Sequence, residues 1–442
     1  MALGRKKFDR QQQLWTATHK IARSPGHPFY QALNRQLAEA GFDRWVEQLC
    51  EPCYAGNTGR PGIPPGVYFR MLMVGYFEGL ASQRDIAYRC ADSLAVREFL
   101  GYGIDESTPD HSSLTRIRQR LPLEVYDEVF VFVLGMANEA GMLDGRTIGV
   151  DTTTMEANAA MRSIVRKDTG DDYTEYVRSL MAAEGIEEPT DEELRRFDRK
   201  RKGKKLSNDD WESATDSDSE IGKMKDGRTD LKYDPCNAVQ LESEDDLVLD
   251  ADLLDKGQSE ADSLQETTER VEENLKKAGC ENDLTGVTTD KGFHKQEVIQ
   301  SCEESGLRTY IPEKESKHQH SWKGKPPGRE KAYRGNRRRT KGKRGRRLQR
   351  ERSEKVERSF AHIMETGGGR RTTLRGLEPN RKRYKMLAMS YNLGRIMRRV
   401  FGVGTPRSLQ GRSTALWQLI LALLGWIFGW MTPMRRRSGV SG

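Results

Sequence analysis

Two short apolar stretches, each running straight into an aspartate, set the tightest limit on how this chain can fold. The first is Arg146-Thr147-Ile148-Gly149-Val150-Asp151, followed by three threonines, and the second is Leu284-Thr285-Gly286-Val287-Thr288-Thr289-Asp290. β-Branched residues in runs this short favour strands. Between them strand patterns recur at 229–239 and 247–254, and a polar amphipathic helix spans about 259–278. After Asp290 come a helix near 294–305 and a strand at 308–312. This order predicts a mixed sheet whose first and fourth strands pair in parallel. Asp151 and Asp290 then stand on neighbouring strands, about 4.8 Å apart. A last helix, about 348–365, carries Glu351, Glu354 and Glu357, stops at Gly367-Gly368-Gly369, and can bring a third carboxylate from the side. Val356 before Glu357 and Phe360 after it predict that this turn packs toward the sheet, which favours Glu357 as the third acid.

Each acid alone has an ordinary explanation: a strand-end turn at Asp151, an Asp-Lys-Gly turn at Asp290, a solvated ion pair at Glu357. Together they form the donor set that a hard cation such as Mg²⁺ takes. Two such ions, about 3.5–4 Å apart, suit in-line displacement at a phosphodiester. The charge balance points to the same class of substrate. The chain has a formal net charge of +8 and a pI of about 9.0, and its basic residues crowd into 323–358 and 366–399. Lys and Arg in such runs favour a polyanionic partner.

Residues 1–135 read as helical. Pro64-Pro65 opens one helix, Gly79 ends it, Ser82 caps the next, and Thr108-Pro109-Asp110 starts another that carries Arg116, Arg118 and Arg120. Short helices with an Arg-rich last member suit a helix-turn-helix-like module, or else a plain helical bundle. Residues 140–366 hold the sheet pattern, with a helical insertion at about 160–220 that includes a Thr190/Glu193 capping box. Residues 313–347 are basic and of low complexity, and read as a loop or extended arm in which Arg337, Arg338 and Arg339 would hold DNA backbone. Residues 367–442 form a basic and apolar helical end. Its stretch 415–430, ALWQLILALLGWIFGW, is shorter than a spanning helix needs and is expected not to cross a membrane. Cys50 and Cys53 make only half of a zinc site, and the six cysteines read as reduced thiols. The first residues, MALGRKK, have no apolar run behind them and are not a signal peptide.

The segments GVDTTTMEANA, TTDKGFHKQE and RERSEKVERSFAHIMETGGG resemble the three catalytic blocks of insertion-sequence DDE transposases. GRPGIPPGVYFRMLMVGYFEGLASQRDIAYRC with STPDHSSLTRIRQRL is similar to their N-terminal domain, and GKMKDGRTDLKYDPCNAV to their segment between the first two acids. The resemblance covers most of 55–402. It implies an α/β fold, an RNase H-like mixed five-stranded sheet with flanking helices and insertions, preceded by an all-α helix-turn-helix-like domain. It implies Asp151, Asp290 and Glu357 as catalytic and metal-binding residues for two Mg²⁺ (or Mn²⁺) ions. DNA contacts are expected from Arg116, Arg118, Arg120, Lys291, Arg337, Arg338, Arg339, Arg352 and Arg358. One block departs from the family pattern: Ser353 and Met364 stand where an Arg and a Lys are usual, and Arg352 and Arg358 are the substitutes at hand. The implied partners are element-end and target duplex DNA and further copies of the chain, in a cytoplasmic, nucleoid-associated setting. Two other readings share these residues: a nuclease of the same fold that cleaves without joining, and a noncatalytic DNA-binding descendant.

Overall fold

The computed structural model describes residues 27–55, 62–186, 189–200, 208–314 and 321–406. The stretch 415–430 lies outside them. Among the described residues no helix is long and apolar enough to cross a membrane.

Seven helices come first: α1 Pro28–Glu39, α2 Phe42–Cys50, α3 Pro65–Glu78, α4 Gln83–Asp92, α5 Leu94–Leu100, α6 His111–Arg120 and α7 Leu123–Glu139. Their starts follow the local chemistry. Pro65 supplies the fixed φ of a first helical residue. Ser82, Ser93 and Asp110 each accept a hydrogen bond from the backbone N–H three residues on. Gly79 ends α3 at φ 68°, a left-handed conformation that costs a glycine nothing.

The strands follow: β1 Thr147–Thr152, β2 Met155–Glu156, β3 Ile164–Arg166, β4 Trp211–Ser213, β5 Glu220–Lys223, β6 Thr229–Tyr233, β7 Pro235–Gln240, β8 Val248–Leu253, β9 Gly286–Thr288 and β10 Arg308–Tyr310. Five of them form one mixed sheet in the order β10-β9-β1-β7-β8, with β1, β9 and β10 parallel and β7 and β8 antiparallel. The expected parallel pairing of the two Asp-bearing strands is present. The expected single strand at 229–239 is not. It divides at Asp234, where β6 pairs with β2 and β5 in a separate three-stranded sheet and β7 enters the main one. Between β3 and β4 lie the insertion helices α8 Tyr173–Ala183 and α9 Asp191–Lys200, which share a small core of Val177, Met181 and Leu194. Thr190 and Glu193 cap α9 reciprocally, as their spacing predicts.

Helices α10 Glu260–Lys277 and α11 Gln296–Glu304 flank β9 in sequence, and α12 Arg329–Lys341, α13 Lys343–Ala361 and α14 Leu377–Phe401 follow β10. The extended arm expected at 313–347 is therefore corrected over most of its length, because 329–341 is helix. Ala332, Tyr333 and Asn336 recur at helical spacing and are buried, and Asn336 closes both the N–H (2.9 Å) and the carbonyl (2.8 Å) of Ile311. That anchor outweighs a composition that reads as loop. Helix α14 packs on α7, α3 and β8, so one continuous apolar core runs from Phe29 in α1 to Met397 in α14.

Candidate active site

The site begins with a register. Thr147, Ile148 and Gly149 of β1 pair with Gly286, Val287 and Thr288 of β9. Two residues beyond the last pair, both chains reach an aspartate, Asp151 and Asp290. The apolar strand interiors, with Ile148, Val150 and Val287 fully buried, fix that register, since a slip of one residue would turn each strand inside out.

Asp151 accepts the Thr152 N–H at 2.9 Å and is bridged by Arg352 Nη1 at 2.6 Å. Burial pushes its carboxyl up, the guanidinium of Arg352 opposes that, and the charge of Asp290 adds to the rise. The like-charge coupling is itself a sign that the two acids share one space. Asp290 accepts the Gly292 N–H at 2.7 Å and so caps the turn Lys291–Phe293. The structure also brings a carboxylate that sequence reasoning missed. Glu260, in the first turn of α10, accepts the hydroxyl of Thr152. A Cβ at Gly292 would lie 2.3 Å from Glu260 Oε2 and 2.9 Å from Asp290 Oδ1, so the two carboxylates face one small gap that a larger residue could enter only by shifting them. The one available signal was an acid beside the helix-capping Ser259, which reads as ordinary helix-start chemistry.

Helix α13 crosses the sheet beside these acids. It starts near Thr147, which Arg344 approaches at 3.4 Å, and its Ser359 bonds Asn237, the residue paired with Asp151. Val356, Ser359 and Phe360 are buried, as expected for a turn that faces the sheet. A Cβ at Gly149 would meet the Arg352 and Val356 side chains at 2.9 and 3.2 Å, which shows how closely α13 lies on β1. Of the three candidate acids, Glu351 binds the Glu242 N–H at 2.9 Å, near the Thr147 end, and Glu354 pairs with Arg358 in solvent. Glu357 is exposed and has no hydrogen bond or ion pair with a described residue. It continues the row Gln349–Ser353–Glu357, which begins where Gln349 bonds the carbonyls of Thr289 and Tyr310. Among the described residues, no three His, Cys, Asp or Glu side chains are grouped as metal ligands. Asp151 is held by Arg352 and Glu357 points to solvent. The oxygen donors nonetheless suit a hard cation, and the hydroxyls of Thr153, Thr154 and Thr288 at the strand ends are buried without partners.

The basic residues fall into two groups. Arg116 and Arg120 are exposed one turn apart on α6, Arg120 lying 4.8 Å over the Tyr54 ring. Lys291 and Arg338 are exposed as well. Arg118 turns the other way, toward α14. Arg337 pairs with Glu313 at 3.4 Å, Arg339 with Glu303 at 2.7 Å, and Arg358 with Glu354 and the buried Asp246. Several arginines of this region are thus paired within the chain by acids from α11 and from 242–246.

A family model described as "Transposase domain (DUF772)" matches residues 20–120, and one described as "Transposase DDE domain" matches residues 281–397. These two matches, to separate stretches of the chain, support an insertion-sequence DDE transposase. The second match contains Asp290 and Glu357 and runs through most of α14, while Asp151 precedes it. No curated protein matches the chain. The mixed five-stranded sheet is that of an RNase H-like fold. Transposases of this kind bind DNA and generally use divalent metal ions.

Proposed function

We propose that this transposase binds the terminal inverted repeats of its element and catalyses metal-dependent strand cleavage and strand transfer, with Asp151, Asp290 and Glu357 as its acids. The parallel register of β1 and β9, which sets Asp151 beside Asp290, is the observation that carries this reading. These three residues would hold two Mg²⁺ (or Mn²⁺) ions. Such ions, when bound, supply Lewis acidity at the phosphodiester and lower the pKa of an attacking water.

The chain's own residues have distinct tasks. Asp151 would hold a metal only by giving up its bond to Arg352, whose guanidinium would then stand in position to neutralise a phosphate. Lys291, next to Asp290, is exposed for the same purpose. Arg116 and Arg120 present a face of α6 to duplex DNA, and Arg338 extends the basic surface. Arg337, Arg339 and Arg358 reach DNA only by leaving their present ion pairs. In this reading residues 1–135 recognise DNA, 140–366 carry the chemistry, and copies of the chain assemble on the element ends, at the nucleoid.

The test is a cleavage and joining assay on labelled duplex carrying the element's own ends, in Mg²⁺ or Mn²⁺. Products of both nicking and joining are expected. Nicking without joining would replace the proposal with a simple nuclease. Specific binding with neither would make the chain a noncatalytic DNA-binding protein.

A further inference from the structure

Where the N-terminal helices meet α14, the structure forms a half-open pocket of about 60 Å³. Its walls are mainly apolar, with Leu72, Tyr76 and Ile86 among them, yet Arg118, Lys382 and Arg383 also line it. Lys382 is accounted for: it pairs with Glu378 at 2.6 Å and donates to the Arg118 carbonyl at 3.3 Å. The two arginines are not. Arg383 donates through Nη2 to the Gly368 carbonyl, but its Nη1 is buried and, among the described residues, has no partner, nor does any acid pair with it. The Arg118 side chain makes no hydrogen bond or ion pair with a described residue, and its Nε is buried and unpartnered.

A buried guanidinium N–H without an acceptor is costly. Burial alone pulls Arg383 down to about 10, since no nearby carboxylate opposes it. Two such groups facing one cavity are complementary to an anion with several acceptor oxygens, which a fork of N–H donors binds best. The volume admits a few waters or one tetrahedral oxyanion. We propose that this cavity is an oxyanion site in which Arg118 and Arg383 bind a phosphate group. That phosphate is either a free ion or a backbone phosphate of DNA held against α6. The site lies apart from Asp151 and Asp290 and has no part in the chemistry assigned to them.

The experiment uses the full chain with Arg118→Met and Arg383→Met, which keep an apolar stem and remove the charge. In one arm, thermal unfolding is followed in inorganic phosphate against sodium chloride of equal ionic strength. In the other, duplex affinity is measured against salt. Wild type is expected to gain stability in phosphate, and each variant to lose that gain, with at least a tenfold weaker apparent affinity. If the phosphate on the site comes from DNA, the salt slope of duplex binding also falls by about one in each variant. An unchanged slope with the phosphate effect lost assigns the site to a free ion. A lowered slope without any phosphate effect assigns it to DNA alone. If Arg383→Met fails to fold, Arg118→Met, on a half-exposed position, decides the matter. Wild type indifferent to phosphate together with unchanged salt slopes overturns the proposal. The phosphate arm needs no transposition, so its failure is distinct from failure of the transposase reading.

Discussion

Arg352→Met isolates the question of what holds the site shut. Arg352 Nη1 lies 2.6 Å from Asp151 Oδ2, with side-chain exposures of 11% and 23%. Exposed pairs contribute about 0–1 kcal/mol, and breaking a buried one costs about 3–5 kcal/mol. This pair lies between those limits, so about 1–2 kcal/mol is expected. Methionine keeps the stem that rests against β1, so packing near Gly149 is preserved. Without metal, the variant should unfold at a lower urea concentration, by an amount equivalent to about 1–2 kcal/mol. A divalent ion that binds Asp151 must displace the guanidinium and bears the same cost in wild type. Relieving it should tighten Mn²⁺ binding by about fivefold to thirtyfold. Calorimetric titration of both proteins with Mn²⁺ reads this directly. If the variant binds Mn²⁺ no tighter than wild type, Arg352 does not compete with metal at Asp151 and the reasoning fails.

Glu357→Gln is expected to abolish cleavage while end binding, read by gel shift, stays within about twofold, whereas Glu354→Gln should cut normally; the reverse result would move the third acid one turn back. Gly292→Ala puts a carbon 2.3 Å from Glu260 Oε2 and 2.9 Å from Asp290 Oδ1, and should lower the cleavage rate at least tenfold with little loss of DNA affinity; an unaffected rate would mean the gap between these acids is idle. Asp250 is buried; burial pushes its carboxyl up, but Arg270 and Lys385 more than reverse this and leave it below the usual range. A lowered folded pKa contributes stability above the unfolded value of about 3.9 that is lost as pH falls through the folded one. Lys385→Met should therefore bring the acid loss of stability to a higher pH, followed by denaturation midpoints across pH 3–6 (roughly the carboxylate range), and an unmoved profile would show that Lys385 does not hold Asp250.

The strands that carry Asp151 and Asp290 were legible because their signal is local: a β-branched run, a fully apolar interior and an acid at the end. The parallel pairing followed from element order. The break at Asp234 was not legible, because it is set by the different partners the two halves find, Met155–Glu156 for β6 and Val248–Leu253 for β7. Helix α12 hid behind its Lys, Arg and Gly content, since its anchor is Ile311, at the end of β10 and twenty-five residues before Asn336. Glu260 gave no warning either. Its place beside Asp290 depends on how α10 returns across the sheet, and no spacing between the two encodes that.

The unbroken core through α14 has a consequence for where a cut can fall. Tyr384 of α14 bonds Asn237 at 2.6 Å beside the acids, and Lys385 ties Asp127 of α7 at 2.9 Å to Asp250 of β8 at 3.5 Å. These contacts cross from the N-terminal helices to the sheet that carries the carboxylates. A body built this way works as a caliper. If α6 grips DNA and Asp151 and Asp290 present the bond, as proposed, the span between them is set by side-chain packing, and the cut is measured from the gripped sequence by a fixed length of protein.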